Sequence, residues 1–152
     1  MIAVGEKLPF FDRTDQNGNQ ISSDQFVGKQ PLVIFFYPKN FTPGCTAEAC
    51  SFRDKYADFL AYGAQVIGIS SDSEKSHVKF SNSYQLPFPL VSDADKSLQK
   101  AFGITPQFFG LLSRRVTFVF DASGFLVLAH DGLNPTQHIY KALKTLRSKT
   151  AE

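Results

Sequence analysis

The sequence predicts an α/β fold, in which a central mixed β-sheet is flanked by helices and preceded by a β-hairpin. Strand-like apolar runs alternate with helical patterns, and two further strand-like runs lie close together ahead of a last helical pattern. Strands separated by a helix pair in parallel, whereas strands joined by a tight turn pair antiparallel. The chain has 152 residues, of which 43% are hydrophobic and 20% charged. This size and composition suit a single domain over residues 1–152.

The first predicted elements are a hairpin, a buried strand and a helix. Residues 10–22 are expected to form the hairpin around Gln16-Asn17-Gly18-Asn19, because Asn-Gly favours a tight turn. The uninterrupted apolar run at 32–37 suits a central strand covered on both faces. A helical pattern covers 46–62. Its apolar positions on one face are Ala49, Phe52, Tyr56 and Phe59.

The remaining elements follow from the same patterns of hydrophobicity and from turn residues. In chain order they are a strand over 66–70, a helix from Asp72 or Ser73 to Tyr84, a short helix over 97–102, two strands over 116–121 and 125–130 joined by a tight turn, and a last helix capped by Asn134.

Both cysteines of the chain, Cys45 and Cys50, lie where the first long strand leads into the first helix. Backbone N–H groups at a helix start lack intrahelical acceptors and carry partial positive charge, so they favour a thiolate at Cys45. Cys45 precedes Ala49 by one helical turn and shares its apolar face, whereas Cys50 lies nearer the solvent. A reactive cysteine at this point, together with the order of elements, resembles the thioredoxin fold.

Composition and charge argue against several classes of protein. The net charge is only +2 and there is no long basic run, so neither nucleic acid nor an anionic membrane is an expected partner. The first residues lack the features of a secretory signal, and no apolar run approaches the roughly 18 residues that cross a bilayer. We therefore expect a cytoplasmic protein, with the mature form of an organelle-imported precursor as the alternative that stays open. No cysteine and histidine spacing suits a zinc site, so no metal is expected.

A segment that follows the first buried strand resembles the active site of the peroxiredoxins. Pro38, Thr42 and Cys45 form the ordered motif Pro-x-x-x-Thr-x-x-Cys of that family. The surrounding residues, through Cys50, are similar to the Q-type branch, also called bacterioferritin comigratory proteins. The resemblance extends over most of the chain, from about Gly5 to Leu146, and includes the segments 86–93 and 115–121.

The resemblance implies a thiol peroxidase that reduces hydrogen peroxide and alkyl hydroperoxides without a metal or organic cofactor. Cys45 would attack the peroxide and become a sulfenic acid. Thr42 would hold the peroxide, and Arg115 would stabilise both the thiolate and the charge on the departing oxygen. Glu48 would orient the arginine, and Pro38 would stiffen the loop.

By the same resemblance, Cys50 would resolve the sulfenic acid as an intramolecular disulfide, which thioredoxin or another dithiol would reduce. In an intact helix, residues at this spacing have Cα atoms roughly 8–9 Å apart. Disulfides need a Cα separation below about 7 Å, so the helix would have to unwind locally. An internal resolving cysteine needs no second subunit, and we expect a monomer.

Other interpretations of the cysteine pair remain open from the sequence. Cys50 could be an incidental small apolar residue in an enzyme with one reactive cysteine. The pair could serve a redox-regulated binding or holdase protein, or a dithiol oxidoreductase acting on protein substrates. A cysteine protease would need a histidine near Cys45, which nothing in the sequence indicates. Each histidine of the chain is expected at the surface or satisfied in the core: His77, His130 and His138.

Two further features have alternative interpretations. Arg114 and Arg115 are neighbours, and the family pattern Arg-x-Thr-Phe selects Arg115. The apolar stretch Phe108–Leu112 either packs in the core or, with Phe41, forms an apolar wall beside Cys45 that favours organic hydroperoxides.

Overall fold

The structure, a computed structural model, describes residues 1–105 and 115–150, except for the side chain of residue 150. The predicted elements are present in the predicted order, together with a short 3-10 helix at Ser23–Gln25 and a strand at Leu90–Ser92 that were not predicted. In chain order they are β1 (Asp12–Thr14), β2 (Gln20–Ser22), β3 (Leu32–Phe36), α1 (Pro43–Asp54), α2 (Tyr56–Ala61), β4 (Gln65–Ser70), α3 (Glu74–Tyr84), β5 (Leu90–Ser92), α4 (Ser97–Ala101), β6 (Val116–Phe120), β7 (Leu126–Asp131) and α5 (Pro135–Thr150).

The central sheet is mixed, as predicted. Its strands lie in the order β5-β4-β3-β6-β7 within the described residues. Strand β4 runs parallel to both β3 and β5, whereas β6 runs antiparallel to both β3 and β7. Strands β1 and β2 form the predicted antiparallel hairpin beside this sheet. The predicted mixed sheet with an N-terminal hairpin is therefore confirmed.

Strand β3 lies between two apolar layers. Leu32, Ile34 and Phe36 pack into the cluster on one face of the sheet, and Val33 and Phe35 pack into the cluster on the other. All five side chains are buried. Successive residues of a strand point to opposite faces, so an unbroken apolar run is what a strand between two layers requires.

The predicted helix over 46–62 is wrong in its bounds. The structure has two helices here, which meet at Lys55, where the backbone leaves the helical region with φ −104° and ψ 7°. Phe52 and Phe59 are buried on either side of this break, so the predicted apolar face is preserved. Helix α1 also begins earlier, at Pro43, because proline needs no hydrogen-bond acceptor at a first helical position.

The register of β3 and β6 determines where the candidate site forms. Phe36, the last residue of β3, pairs with Val116, the first residue of β6. The chain that leaves β3 toward α1 therefore starts beside Arg115, which directly precedes β6. In the described part of the chain, no helix is long and apolar enough to cross a membrane.

Candidate active site

Cys45 lies in the first turn of α1, with its side chain buried. The first hydrogen bond within the helix runs from the N–H of Thr46 to the carbonyl oxygen of Thr42 over 2.9 Å. The N–H groups of Gly44 and Cys45 precede that bond and belong to the positive end of the helix. Cys45 is 1% exposed, and both Cys45 and Cys50 are free thiols. The sulfur is thus shielded from water at a helix start.

Arg115 brings a fixed positive charge to the Cys45 sulfur. Its Nη2 atom lies 3.6 Å from Sγ of Cys45, and its Nη1 atom lies 3.5 Å from the carbonyl oxygen of Gly44. The arginine is itself buried. A Cβ atom on Gly44 would lie only 2.8 Å from Nη2, so this approach requires glycine at position 44.

Glu48 lies one helical turn after Cys45 and faces the same guanidinium. Its Oε1 atom is 3.2 Å from Nη1 of Arg115, and the residue has 0% exposed surface. Neither carboxyl oxygen meets hydrogen-bond geometry with the described residues. Burial raises the pKa of Glu48 to about 8, although the charge of Arg115 acts in the opposite direction. The predicted contact between Glu48 and Arg115 is present.

His138 contacts the carboxyl oxygen of Glu48 that does not face Arg115. Nothing in the sequence indicated this contact. The Nδ1 atom of His138 is 3.7 Å from Oε2 of Glu48 and 2.7 Å from Oγ1 of Thr117. On the other side of the ring, the Nε2 atom is 2.8 Å from the carbonyl oxygen of Gly132. Burial lowers the pKa of His138 to about 4. The residue is a hydrogen-bonded core histidine, as expected, but it adjoins the candidate site because α5 packs against α1.

Thr42 and Pro38 belong to the loop between β3 and α1. Thr42 is the N-cap residue of α1, and its hydroxyl donates to the carbonyl oxygen of Lys39 over 2.8 Å. The hydroxyl hydrogen is therefore used inside the loop, and the lone pairs of Oγ1 remain to accept a hydrogen bond. Pro38 lies two residues after the end of β3 and is half-buried.

Asn40 anchors this loop, a role that sequence reasoning missed. Its backbone N–H donates to Oδ2 of Asp72 over 2.9 Å. Its side-chain oxygen accepts from the hydroxyl of Tyr37 over 2.6 Å, and its side-chain nitrogen lies 3.0 Å from Oγ of Ser76 and 3.1 Å from Nδ1 of His77. These partners come from the residue that follows β3, from α3 and from the segment between β4 and α3. A buried asparagine with four partners fixes the loop against its neighbours.

Phe41 adopts a left-handed backbone conformation between Asn40 and Thr42, with φ of 66°. Such values are uncommon for residues other than glycine. Its ring packs against Phe80 at 5.1 Å between centroids, yet the residue is 48% exposed. An apolar side chain is thus presented to solvent directly before Thr42. The other part of the predicted apolar wall, Phe108–Leu112, lies outside the described residues, as does Arg114.

The structure brings three of the predicted site residues into one cluster: Cys45, Arg115 and Glu48. Thr42 and Pro38 lie on the adjoining loop, and half-buried Cys50 lies further along α1. Within residues 1–105 and 115–150, no group of acidic, cysteine or histidine side chains is arranged to hold a metal ion.

Sequence comparison identifies the family. A model of the AhpC/TSA family matches residues 4–129. The chain belongs to this family. It is also 43% identical to the chloroplastic peroxiredoxin Q of Sedum lineare over 148 residues, which are 97% of this chain and 79% of the relative. The peroxiredoxin Q of Populus jackii is likewise 43% identical, over 97% of this chain and 69% of its own. The resemblance to Q-type peroxiredoxins is confirmed, and the protein is a peroxidase of the peroxiredoxin type.

Solved structures of related proteins agree with the fold of this peroxiredoxin. The peroxidoxin BcpB of Mycobacterium tuberculosis superposes with a TM-score of 0.89 at 34% identity, over 97% of this chain and 98% of that one. A peroxiredoxin Q of Xanthomonas campestris superposes with a TM-score of 0.83 at 34% identity, over 91% and 90% of the two chains. The predicted thioredoxin-like fold is therefore confirmed.

Proposed function

We propose that this peroxiredoxin reduces hydrogen peroxide and alkyl hydroperoxides, with Cys45 as the residue that attacks the peroxide. The observation that carries the proposal is the 3.6 Å contact between Nη2 of Arg115 and Sγ of Cys45 at the start of α1. A guanidinium and a helix start both favour a negatively charged sulfur, and the thiolate is the nucleophilic form of cysteine.

In the proposed reaction, the thiolate of Cys45 attacks one peroxide oxygen, and the O–O bond breaks as an S–O bond forms. The sulfur is oxidised by two electrons to a sulfenic acid. The other oxygen departs as hydroxide or alkoxide and takes up a proton to become water or an alcohol. Arg115 stabilises the charge on the departing oxygen, and Oγ1 of Thr42 accepts a hydrogen bond from the peroxide.

Alkyl hydroperoxides are included among the proposed substrates for two reasons. Exposed Phe41 adjoins Thr42 and offers an apolar contact for an alkyl group. The bacterioferritin comigratory protein of Xanthomonas campestris, whose structural work concerns alkyl peroxide reduction, is 34% identical over 91% of this chain.

We further propose that Cys50 resolves the sulfenic acid. The sulfenic sulfur and the Cys50 thiol condense to a disulfide and release water. Both cysteines lie in α1, where an intact helix would hold their Cα atoms roughly 8–9 Å apart. Local unwinding of α1 is thus part of the proposal. Thioredoxin or a similar dithiol then reduces the disulfide.

The test is the intact mass of the reduced protein after one equivalent of hydrogen peroxide. We expect the unmodified protein to lose about 2 Da through disulfide formation, and Cys50→Ser to gain about 16 Da as the sulfenic acid. Cys45→Ser serves as the matched control and should not change. If neither the unmodified protein nor Cys50→Ser changed mass within minutes, Cys45 would not be the attacking residue.

A single chain would suffice for this cycle, because both proposed redox cysteines lie in one helix. We therefore propose a monomer, to be tested by light scattering of the reduced and oxidised forms. A cytoplasmic location stays a prediction, and the plant relatives are named as chloroplastic.

A further inference from the structure

Glu48 and His138 form a buried pair next to the guanidinium that faces Cys45. Oε2 of Glu48 lies 3.7 Å from Nδ1 of His138, and Oε1 of Glu48 lies 3.2 Å from Nη1 of Arg115. Neither Glu48 nor His138 has exposed surface. The peroxidase reaction proposed above does not use the imidazole, although only one side chain separates it from Arg115.

Hydrogen bonds determine the tautomer of neutral His138. Its Nε2 atom lies 2.8 Å from the carbonyl oxygen of Gly132, which can only accept, so Nε2 carries a hydrogen. The Nδ1 atom of the neutral ring then has a lone pair, to which the hydroxyl of Thr117 donates over 2.7 Å. The same side of the ring faces Glu48.

A carboxylate ion at Glu48 would face this lone pair with no donor between them. It would also be fully buried, with Arg115 beside Oε1 but no donor for Oε2 among the described residues while the imidazole is neutral. Burial of an ion under these conditions is costly. One added proton removes the conflict. Either Glu48 is protonated, so that no carboxylate faces the lone pair that accepts from Thr117, or His138 is protonated and Nδ1 turns from acceptor to donor toward the carboxylate while the Thr117 hydroxyl accepts.

We propose that His138 is a positioning residue for the chemistry at Cys45. It shares one proton with Glu48, so that no unpaired carboxylate offsets the positive charge that Arg115 brings to the Cys45 sulfur. The pair is neutral overall in both arrangements of the proton. A lone carboxylate at Glu48 would instead compete with the sulfur for Arg115, because its Oε1 atom is the nearer of the two, at 3.2 Å against 3.6 Å. The inference rests on the proposed role of Cys45 as the attacking thiolate.

Both pKa shifts have burial as their largest cause, and together they leave one proton on the pair over a wide pH range. Burial raises the pKa of Glu48 to about 8 and lowers the pKa of His138 to about 4, so the pair binds one proton between these values. The other ionisable groups facing the pair from the described residues are Arg115, Cys45 and Tyr37 around Glu48, and His130 and Lys141 around His138. Arg115 and Lys141 both disfavour a second proton on the imidazole, and His130 does the same when charged.

The test is the pH dependence of Cys45 alkylation by iodoacetamide, in reduced protein that carries Cys50→Ser. We expect His138→Leu to raise the pH of half-maximal alkylation by about one unit, equal to about tenfold slower alkylation below that pH. The reason is that Glu48 loses the ring nitrogen that favours its protonated form, so its carboxyl ionises at a lower pH and faces Arg115 as a carboxylate. Adding Glu48→Gln to His138→Leu should return the pH of half-maximal alkylation toward its original value, since no carboxylate then remains. A merely structural role of His138 would not produce this reversal.

The matched control is His130→Asn. The ring of His130 lies 4.6 Å from that of His138, opposite Thr117 in the neighbouring strand. Among the described residues it makes no hydrogen bond to Glu48 or His138, so we expect the alkylation profile to stay unchanged. An unchanged profile for His138→Leu would overturn the proposal. A double variant as strongly shifted as His138→Leu would overturn it as well.

A second measurement covers the case in which His138→Leu fails to fold. In the unmodified protein near neutral pH, the proton must appear on one member of the pair. It appears either as the infrared C=O band of a protonated carboxyl that Glu48→Gln removes, or as an imidazolium in the ¹⁵N shifts of His138. A neutral imidazole without that band would reject the proposal. Peroxide turnover by the unmodified protein is measured separately, so an inactive protein with the expected alkylation shifts would reject only the proposed function.

Discussion

Gly44 determines how closely the guanidinium of Arg115 can approach the Cys45 sulfur. A Cβ atom at this position would lie 2.8 Å from Nη2, the same atom that lies 3.6 Å from Sγ. Arg115 is buried and has little room to yield. The missing side chain of Gly44 is therefore part of the site, although Gly44 itself offers no reactive group.

We predict that Gly44→Ala slows the oxidation of Cys45 by hydrogen peroxide by about tenfold or more. The added methyl group would displace the guanidinium of Arg115, and a small displacement would weaken its stabilisation of the reacting sulfur. The thermal midpoint should change little, since alanine favours a helix more than glycine does. Stopped-flow measurement of the oxidation rate checks this. Ala47→Gly, an exposed position in the same turn, is the matched control. An equal rate in Gly44→Ala would show that the observed distance to Arg115 is not needed.

Residues of the site that are close in sequence were predictable, and those that packing brings together were not. Cys45 and Thr42 lie in one motif, so their neighbourhood follows from the local chain. Arg115 lies seventy residues after Cys45 and could be named only through the family resemblance. His138 had no such signal. The apolar face of α5 predicts burial of that helix, but it does not predict which residue of α1 His138 will meet.

Helix α1 carries the proposed attacking and resolving cysteines, with Glu48 between them. Unwinding that brings Cys50 to Cys45 therefore also moves Glu48 away from Arg115. Phe52, further along the helix, is buried and stacks on Phe35 at 4.4 Å between ring centroids. We expect this stacking to hold the second half of α1 in place while the first half opens.

We predict that oxidation to the disulfide lowers amide protection over 46–53, with the largest loss ahead of Phe52. Hydrogen exchange followed by mass spectrometry on the reduced and oxidised forms measures this. Helix α3, which contains neither cysteine, is the internal reference and should keep its protection. Equal protection of 46–53 in both forms would contradict a disulfide formed by unwinding of α1.

The loop at 38–42 depends on the hydrogen bonds of Asn40. We predict that Asn40→Ala lowers the free energy of unfolding by about 1–3 kcal/mol, because the Tyr37 hydroxyl and other buried groups lose their partner. It should also slow Cys45 oxidation, since the loop positions Thr42. Urea denaturation and stopped-flow kinetics measure the two effects. Asn17→Ala, in the exposed turn of the hairpin, is the control, and equal stability of the two variants would contradict the anchoring role.

Elements with strong periodicity were predicted well, and the interruptions between them were not. The apolar face from Ala49 to Phe59 continues through the break at Lys55, so hydrophobic spacing alone could not reveal that α1 and α2 are separate helices. Strand β5 spans only three residues and follows a segment with two prolines, which left no pattern to recognise. This segment becomes a strand because its backbone pairs in parallel with β4.

The sheet as a whole separates the buried pair of Glu48 and His138 from the apolar cluster on its opposite face. The pair lies on the side covered by α1 and α5, among residues such as Val119 and Ile139. Burial there raises the pKa of Glu48 from 4.5 to about 8 and lowers the pKa of His138 from 6.5 to about 4. These shifts make the stability of the whole fold depend on pH.

We predict that the reduced protein loses stability as the pH rises from 6.5 to about 8. Between pH 4.5 and 6.5, the pair holds about one proton in both the folded and the unfolded chain, so its two contributions cancel. Above pH 6.5 the unfolded chain has released both protons, whereas the folded pair keeps one up to about pH 8. Unfolding then releases a proton, and the free energy of unfolding falls by about 2 kcal/mol across this window. Urea denaturation at several pH values measures the slope, and Glu48→Gln should remove this part of it.

The same linkage distinguishes the two redox forms of the molecule. In the proposed disulfide form, unwinding of α1 would expose Glu48, and the pKa of Glu48 would then return toward its ordinary value because burial no longer acts on it. We therefore predict that the oxidised protein lacks the loss of stability that the reduced protein shows above pH 6.5. Denaturation of both forms without reductant measures the difference, with Cys50→Ser, which cannot close the disulfide, as the control. An oxidised protein with the same slope as the reduced one would mean that Glu48 stays buried against Arg115 while the disulfide forms.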